Sequence, residues 1–204
     1  MKLHLGCGER YLADYLNVDF PPRKHSVMRP RADLYADITM LHFKSACIEE
    51  IRCHHVFEHF DRAIALRVLI NWYQWLIPNG RIIIETPDFE RSARRILRGS
   101  FRERMVAARH LFGSHEADWA IHKDGWFESK FRLYLEALGF ESLEFSHSEW
   151  QGTFNITVVG RKPVNRLLDE SALFRAAREL LSLNLVDESP SEQHLLNVWL
   201  EKLT

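Results

Sequence analysis

The chain opens on Lys2-Leu3-His4-Leu5-Gly6-Cys7-Gly8, and this stretch limits the folds open to it. Residues of strand character run directly into two glycines separated by one residue. Glycine reaches backbone angles closed to other residues and lets a second group approach the main chain closely. A buried strand ending in such a turn suits the start of an open parallel sheet, where ligands sit beyond the C-terminal ends of the strands. An ordinary tight turn satisfies the same letters, so the rest of the chain decides.

Further strands follow in register with that expectation. Tyr15-Leu16-Asn17-Val18-Asp19-Phe20 reads as a second strand ending in a carboxylate, the position from which an acidic residue accepts hydrogen bonds from ribose hydroxyls. The link between the two strands is too short for a crossover helix. A Gly-x-Gly-x-x-Gly fingerprint would need glycine where Tyr11 stands, which argues against a nicotinamide cofactor. Residues 21–31 form a proline-rich basic loop. Residues 32–38 give a short strand ending at Asp37, and residues 47–55 a fourth.

Asp61 has the place of a helix cap before residues 62–76, whose apolar positions recur at three and four residues. Pro78-Asn79-Gly80 reads as a turn and residues 81–86 as a β-branched strand. The spacing predicts one long helix over residues 89–110, with Arg91, Arg94, Arg95, Arg98 and Arg102 as a basic stripe. Such a stripe is a solvated face or an anion site, since arginine forks suit phosphate. Residues 111–126 read as a polar, aromatic lid carrying Trp119, His122 and Trp126. A helix over 129–138 closed by Gly139, a strand pair over 140–146 and 153–160, and two helical segments over 167–183 and 192–203 complete the chain.

Composition narrows the partners. With 204 residues the chain has room for one domain and a small appendage. Lys and Arg number 27 against 28 Asp and Glu, so no global charge favours nucleic acid. No apolar run reaches membrane-spanning length, and strand-like sequence from residue 3 is read as leaving no room for a signal peptide. Cys7, Cys47 and Cys53 lack a Cys-x-x-Cys spacing and fit unpaired thiols in a reducing, cytoplasmic setting.

LHLGCG, YLNVD, ADI, HHVFEHF, LIPNGRIIIETPDF, HKDGW and LEALGFE, in this order over about residues 1–160, make the chain resemble the class I S-adenosylmethionine-dependent methyltransferases. It is most similar to the small bacterial type associated with surface sugar and polysaccharide biosynthesis. The resemblance implies an α/β Rossmann-like three-layer sandwich: a seven-stranded, mostly parallel sheet whose last strand is antiparallel. Residues 1–162 would be the methyltransferase domain and 163–204 a helical extension, serving as a cap on the sheet or a contact in a homodimer.

It also implies site residues. The turn Leu5-Gly6-Cys7-Gly8 would wrap the methionine end of S-adenosylmethionine, Asp19 hold the ribose, Asp37 with Ile38 meet the adenine, and His54 and His55 line the pocket near the sulfonium. Two positions depart from the family pattern: His4 replaces the usual acidic residue, and Arg10 the third glycine. The acceptor would be a small molecule or carbohydrate, such as a phosphorylated sugar or nucleotide sugar, methylated on oxygen. His59 and His122 are candidate bases. Asp88 and Glu58 are candidates to orient a base or bind sugar hydroxyls.

Two other readings compete. His55-Val56-Phe57-Glu58-His59 fits the H-x-x-E-H pattern of zinc hydrolases, but its histidines must share a helix, and His55 sits at a strand end. No metal ligand is therefore expected. A non-catalytic member of the fold is the other alternative, motivated by His4 and Arg10.

Overall fold

The computed structural model describes residues 1–203. Strands β1 (Lys2–Leu5), β2 (Leu16–Asp19), β3 (Leu34–Tyr35), β4 (Ile48–His54), β5 (Leu76–Pro87), β6 (Glu141–Trp150) and β7 (Thr153–Arg161) form one sheet in the order β3-β2-β1-β4-β5-β7-β6. The first five pair in parallel, and β7 enters antiparallel between β5 and β6. Among the described residues six α-helices follow β4: α1 (Arg62–Trp75), α2 (Phe89–Arg98), α3 (Phe101–Phe112), α4 (Glu128–Ala137), α5 (Glu170–Ser182) and α6 (Pro190–Glu201). They lie on both sides of the sheet, as a Rossmann-like architecture requires.

Strand alternation sorts the side chains. Leu3 and Leu5 of β1, Ile51 and Cys53 of β4, and Ile82 and Ile84 of β5 are fully buried on one face. There they join α1, α4, α5 and α6 in a single core. The leucines of α5 and α6 belong to that same core, so the C-terminal helices pack as part of the body of the protein.

The opposite face carries His4, Asn17 and Glu50, all buried. Among the described residues the three links joining β1 to β4 contain no α-helix, which bears out the short first crossover. Polar neighbours satisfy that face instead: His4 Nδ1 lies 3.1 Å from Asn17 Oδ1, and Glu50 accepts from Tyr15 and Arg81. Burial holds the His4 imidazole below its ordinary pKa.

Local chemistry fixes the element ends. Asp61 Oδ1 accepts the Ala63 and Ile64 amides, each at 3.1 Å, and caps α1 as expected. At the other end buried Lys162 donates to the carbonyls of Tyr73 and Leu76, a cation on a helix C-terminus. Two expectations need correcting. The helix predicted over 89–110 is two, because Ser100 and Glu103 form a capping box that restarts the helix after Gly99. Pro78-Asn79-Gly80 is a bulged part of β5, not a free turn: Asn79 N–H donates to Lys162 O, and Lys162 N–H to Gly80 O.

Candidate functional site

The C-terminal ends of β1, β2 and β4 converge on a cavity of about 510 Å³. Gly6 and Gly8 border it after β1, Asp19 and Phe20 after β2, Asp37 and Ile38 after β3, and His54, His55 and Val56 after β4. The start of α1 adds Phe60, Asp61 and Ile64, and His59 lies just before them. Its size and largely apolar walls with a few convergent polar groups match a small-ligand site.

The two glycines differ. Both have positive φ, +67° at Gly6 and +53° at Gly8. A Cβ on Gly6 would lie 2.0 Å from Val56 Cγ2, so the chain itself occupies that space. A Cβ on Gly8 would meet only Met28 Sδ, at 3.5 Å. Gly8 is thus the glycine whose missing side chain leaves room at the cavity. Leu5 and Cys7 are buried beneath the turn and do not line the cavity. Cys7 Sγ donates to Arg31 O, and burial, helped by Asp19, pushes its thiol up to about 12, which removes it as a nucleophile.

Asp19 is buried and already engaged. Its Oδ2 accepts the Gly8 amide at 2.7 Å, its Oδ1 the Phe20 amide at 2.6 Å, and His25 Nε2 lies 3.1 Å from Oδ1. A carboxylate offers about four lone-pair sites, so roughly one remains for a ligand hydroxyl and a second opens if His25 withdraws. His25 carries no local sequence signal for this place. Asp37 borders the cavity and has one oxygen, Oδ1, on the amide and hydroxyl of Thr39, neither of which bonds Oδ2.

Part of the loop predicted as a lid borders the cavity. Trp119 and Lys123 line it, Trp119 Nε1 donates to Lys24 O at 2.9 Å, and Glu116 accepts the amides of Ser26 and Val27. Trp126 does not belong to this lid: it is 1% exposed and stacks on Phe131 in the core. The arginine stripe is likewise elsewhere. Arg91, Arg94, Arg95 and Arg98 border a separate groove with Glu103, and none reaches the cavity.

The inner end of the cavity is rich in histidine. His54 is pushed down to about 4 by burial and stands neutral, its Nε2 buried without a partner. Burial acts the same way on His55, but the carboxylates of Glu58 and Glu85 outweigh it and carry it up to about 10. His55 in turn holds Glu85 down to about 2. Phe57, wedged against Trp72, Trp126 and Phe131, anchors the single 3-10 turn Phe57–His59 and drives Glu58 inward. Backbone amides of Lys123 and Asp124 donate to Glu58 O, which docks the lid loop on that turn and sets His122 beside His59.

Asp88 is corrected. Its carboxylate caps α2 through the Arg91 amide at 3.0 Å and pairs with His147 at 3.1 Å, and it does not border the cavity. A buried carboxylate with those partners orients the chain after β5 instead.

No family model and no curated protein sequence matches the chain. Solved structures do. A methyltransferase of Archaeoglobus fulgidus that depends on S-adenosylmethionine (SAM) superposes with a TM-score of 0.53 at 14% identity, covering 79% of this chain and 85% of that one. The fold is that of the SAM-dependent methyltransferases. A Bacillus halodurans protein assigned to the methyltransferases gives 0.52 at 14% identity over 79% and 92% of the two chains. Human N-acetylserotonin methyltransferase, solved in complex with SAM, gives 0.50 at 16% over 79% and 47%, so this chain spans about half of it.

The cavity fits that cofactor on its own chemistry. Carboxylates stand at the ends of consecutive strands for hydroxyl and amine donors, Ile38 and Phe20 offer apolar surface to a purine, and the space beside Gly8 is open.

Proposed function

We propose that the protein is a SAM-dependent methyltransferase that methylates a hydroxyl oxygen of a small acceptor, a sugar or nucleotide sugar. The observation that carries this reading is Asp19 and Asp37 facing one cavity whose first wall is the open turn at Gly8. SAM, when bound there, would supply an electrophilic methyl group, its sulfur keeping the electron pair of the carbon–sulfur bond while the acceptor hydroxyl gives up its proton to solvent water.

The chain's part is positioning, which is most of the work of an in-line displacement. Asp19 and Asp37 hold the nucleoside, with Gly8 leaving space for the remainder. The lid carrying Trp119 and Lys123 closes the acceptor side and limits water. Trp119 offers an aromatic face for a sugar ring. Lys123, in place of the distant arginine stripe, is the cation available to a phosphate on the acceptor. His54, neutral and unpartnered at Nε2, can accept a hydrogen bond at the inner end. Soluble working in the cytoplasm, without nucleic acid, accords with this acceptor class.

The test is transfer of radiolabelled methyl from SAM to a panel of sugars, sugar phosphates and nucleotide sugars. The proposal expects label in at least one acceptor and none with Asp19→Ala. Tight SAM binding with no transfer to any hydroxyl acceptor in the panel would overturn the acceptor assignment. A folded protein that binds no SAM would instead favour a non-catalytic member of the fold, with His25 standing permanently on Asp19.

A further inference from the structure

Beside the inner end of the cavity lies a cluster that methyl transfer alone does not explain, and of its residues His59 borders the cavity while Glu58 and His122 do not line it. One ligand atom each from Glu58, His59 and His122 lies within 4.8 Å of the others. Glu58 is 2% exposed, and among the described residues neither of its carboxylate oxygens accepts a hydrogen bond. His55 Nδ1 and His122 Nε2 approach Oε1 only to 3.4 and 3.8 Å. The charged His55 imidazole is thus its ion-pair partner at a distance longer than a normal hydrogen bond, and both carboxylate oxygens keep lone pairs for a closer cation. We infer that Glu58, His59 and His122 bind one divalent transition-metal ion, with open coordination positions toward the cavity.

The donor chemistry supports an ion rather than a water or a second side chain. His59 Nδ1 lies 3.1 Å from Ile121 O and donates to it, which fixes the tautomer and leaves the Nε2 lone pair free. Ligating histidines are commonly oriented by such a second bond to a carbonyl. Two imidazoles and one carboxylate suit zinc, cobalt, iron or manganese better than calcium. Metal–ligand bonds of about 2.0–2.2 Å put ligand atoms roughly 3–4 Å apart, so side-chain shifts of about an ångström close the site.

Three protein ligands leave at least one position open, the pattern of catalytic rather than structural sites. His59 borders the cavity, so an ion held by it would lie at the cavity wall. The ligand set is not the H-x-x-E-H one: residues 57–59 form a single 3-10 turn, His55 has a φ of +53° outside it, and His55 Nε2 turns to Glu85 at 3.3 Å. The third ligand comes from the lid, 63 residues after His59. The role of the ion, which rests on the methyl-transfer reading, is to hold an acceptor hydroxyl by its oxygen.

The experiment is titration of chelator-treated full-length protein with Co2+ and Zn2+, following the visible cobalt bands and the heat of binding. One equivalent per chain is expected, with affinity reduced about a hundred-fold or more in His59→Ala, His122→Asn and Glu58→Gln. His115→Ala, outside the cluster, should bind as the parent does. Circular dichroism checks each variant. If Glu58→Gln fails to fold, the two histidine variants decide. No binding by the folded parent, or equal binding by both histidine variants, overturns the inference. SAM calorimetry on the same samples separates the two readings: SAM binding without metal binding sinks the ion alone, and metal binding without SAM binding sinks the methyl-transfer reading and leaves the ion.

Discussion

The clearest energetic contrast in the molecule lies between its first two glycines. Both sit at positive φ, where an L-residue costs roughly 1–2 kcal/mol. Gly8→Ala adds a Cβ only 3.5 Å from Met28 Sδ, an ordinary contact, and should cost about that amount. Gly6→Ala puts its Cβ 2.0 Å from Val56 Cγ2, and overpacking of this kind adds about 1–3 kcal/mol. The predicted total for Gly6→Ala is therefore about 2–5 kcal/mol. Val56→Ala alone should cost about 1–2 kcal/mol in lost burial. It also removes the clashing methyl, so the double variant should lose less than the sum of the singles. Urea unfolding of the four variants measures each value. A Gly6→Ala cost no larger than that of Gly8→Ala, or an additive cycle with Val56→Ala, would refute this account of the turn.

Three further outcomes are expected. Burial raises the Cys7 thiol to about 12 and the Cys53 thiol well above its ordinary value, so at pH 8 iodoacetamide should modify Cys47 first and the native chain should take up about one label quickly; rapid labelling of all three would contradict the burial of the glycine turn. His54 titrates at about 4 in the folded chain against 6.5 unfolded, so the unfolded state binds the extra proton. Its contribution to stability is present above pH 6.5 and is lost as pH falls toward 4, and melting curves of His54→Asn should show a shallower acid slope than the parent. Trp119→Ala breaks the lid's bond to Lys24 O and should raise the KM for the acceptor several-fold while sparing SAM affinity; unchanged acceptor kinetics would remove Trp119 from the site.

Local signals carried most of the fold. The α1 periodicity, the Asp61 cap and the Gly139 stop are short-range, and the structure has them as read. The break at Gly99 was equally local: Ser100-x-x-Glu103 is a capping box in the letters, masked by the arginine periodicity running through it. Other misreadings have non-local causes. The bulge at Asn79 exists because Lys162, 83 residues later, bonds across it. Trp126 looks like lid sequence, but its ring completes a core stack with Phe57 and Phe131. In the site, the strand-end residues Asp19, Asp37 and His54 were legible because topology puts strand ends together. His25 was not, and neither was the meeting of Glu58, His59 and His122. That meeting depends on two lid amides reaching the Glu58 carbonyl.

Isothermal titration calorimetry with SAM and S-adenosylhomocysteine tests most directly the binding of an adenosyl sulfur cofactor in this cavity. One site per chain is expected for each. Asp19→Ala should weaken both by ten-fold or more, since a hydrogen bond to a charged group contributes about 1.5–3 kcal/mol. Arg94→Ala with Arg98→Ala, in the groove outside the cavity, should bind as the parent does. Absence of binding by the folded parent, or binding untouched by the loss of Asp19, would contradict binding in this cavity.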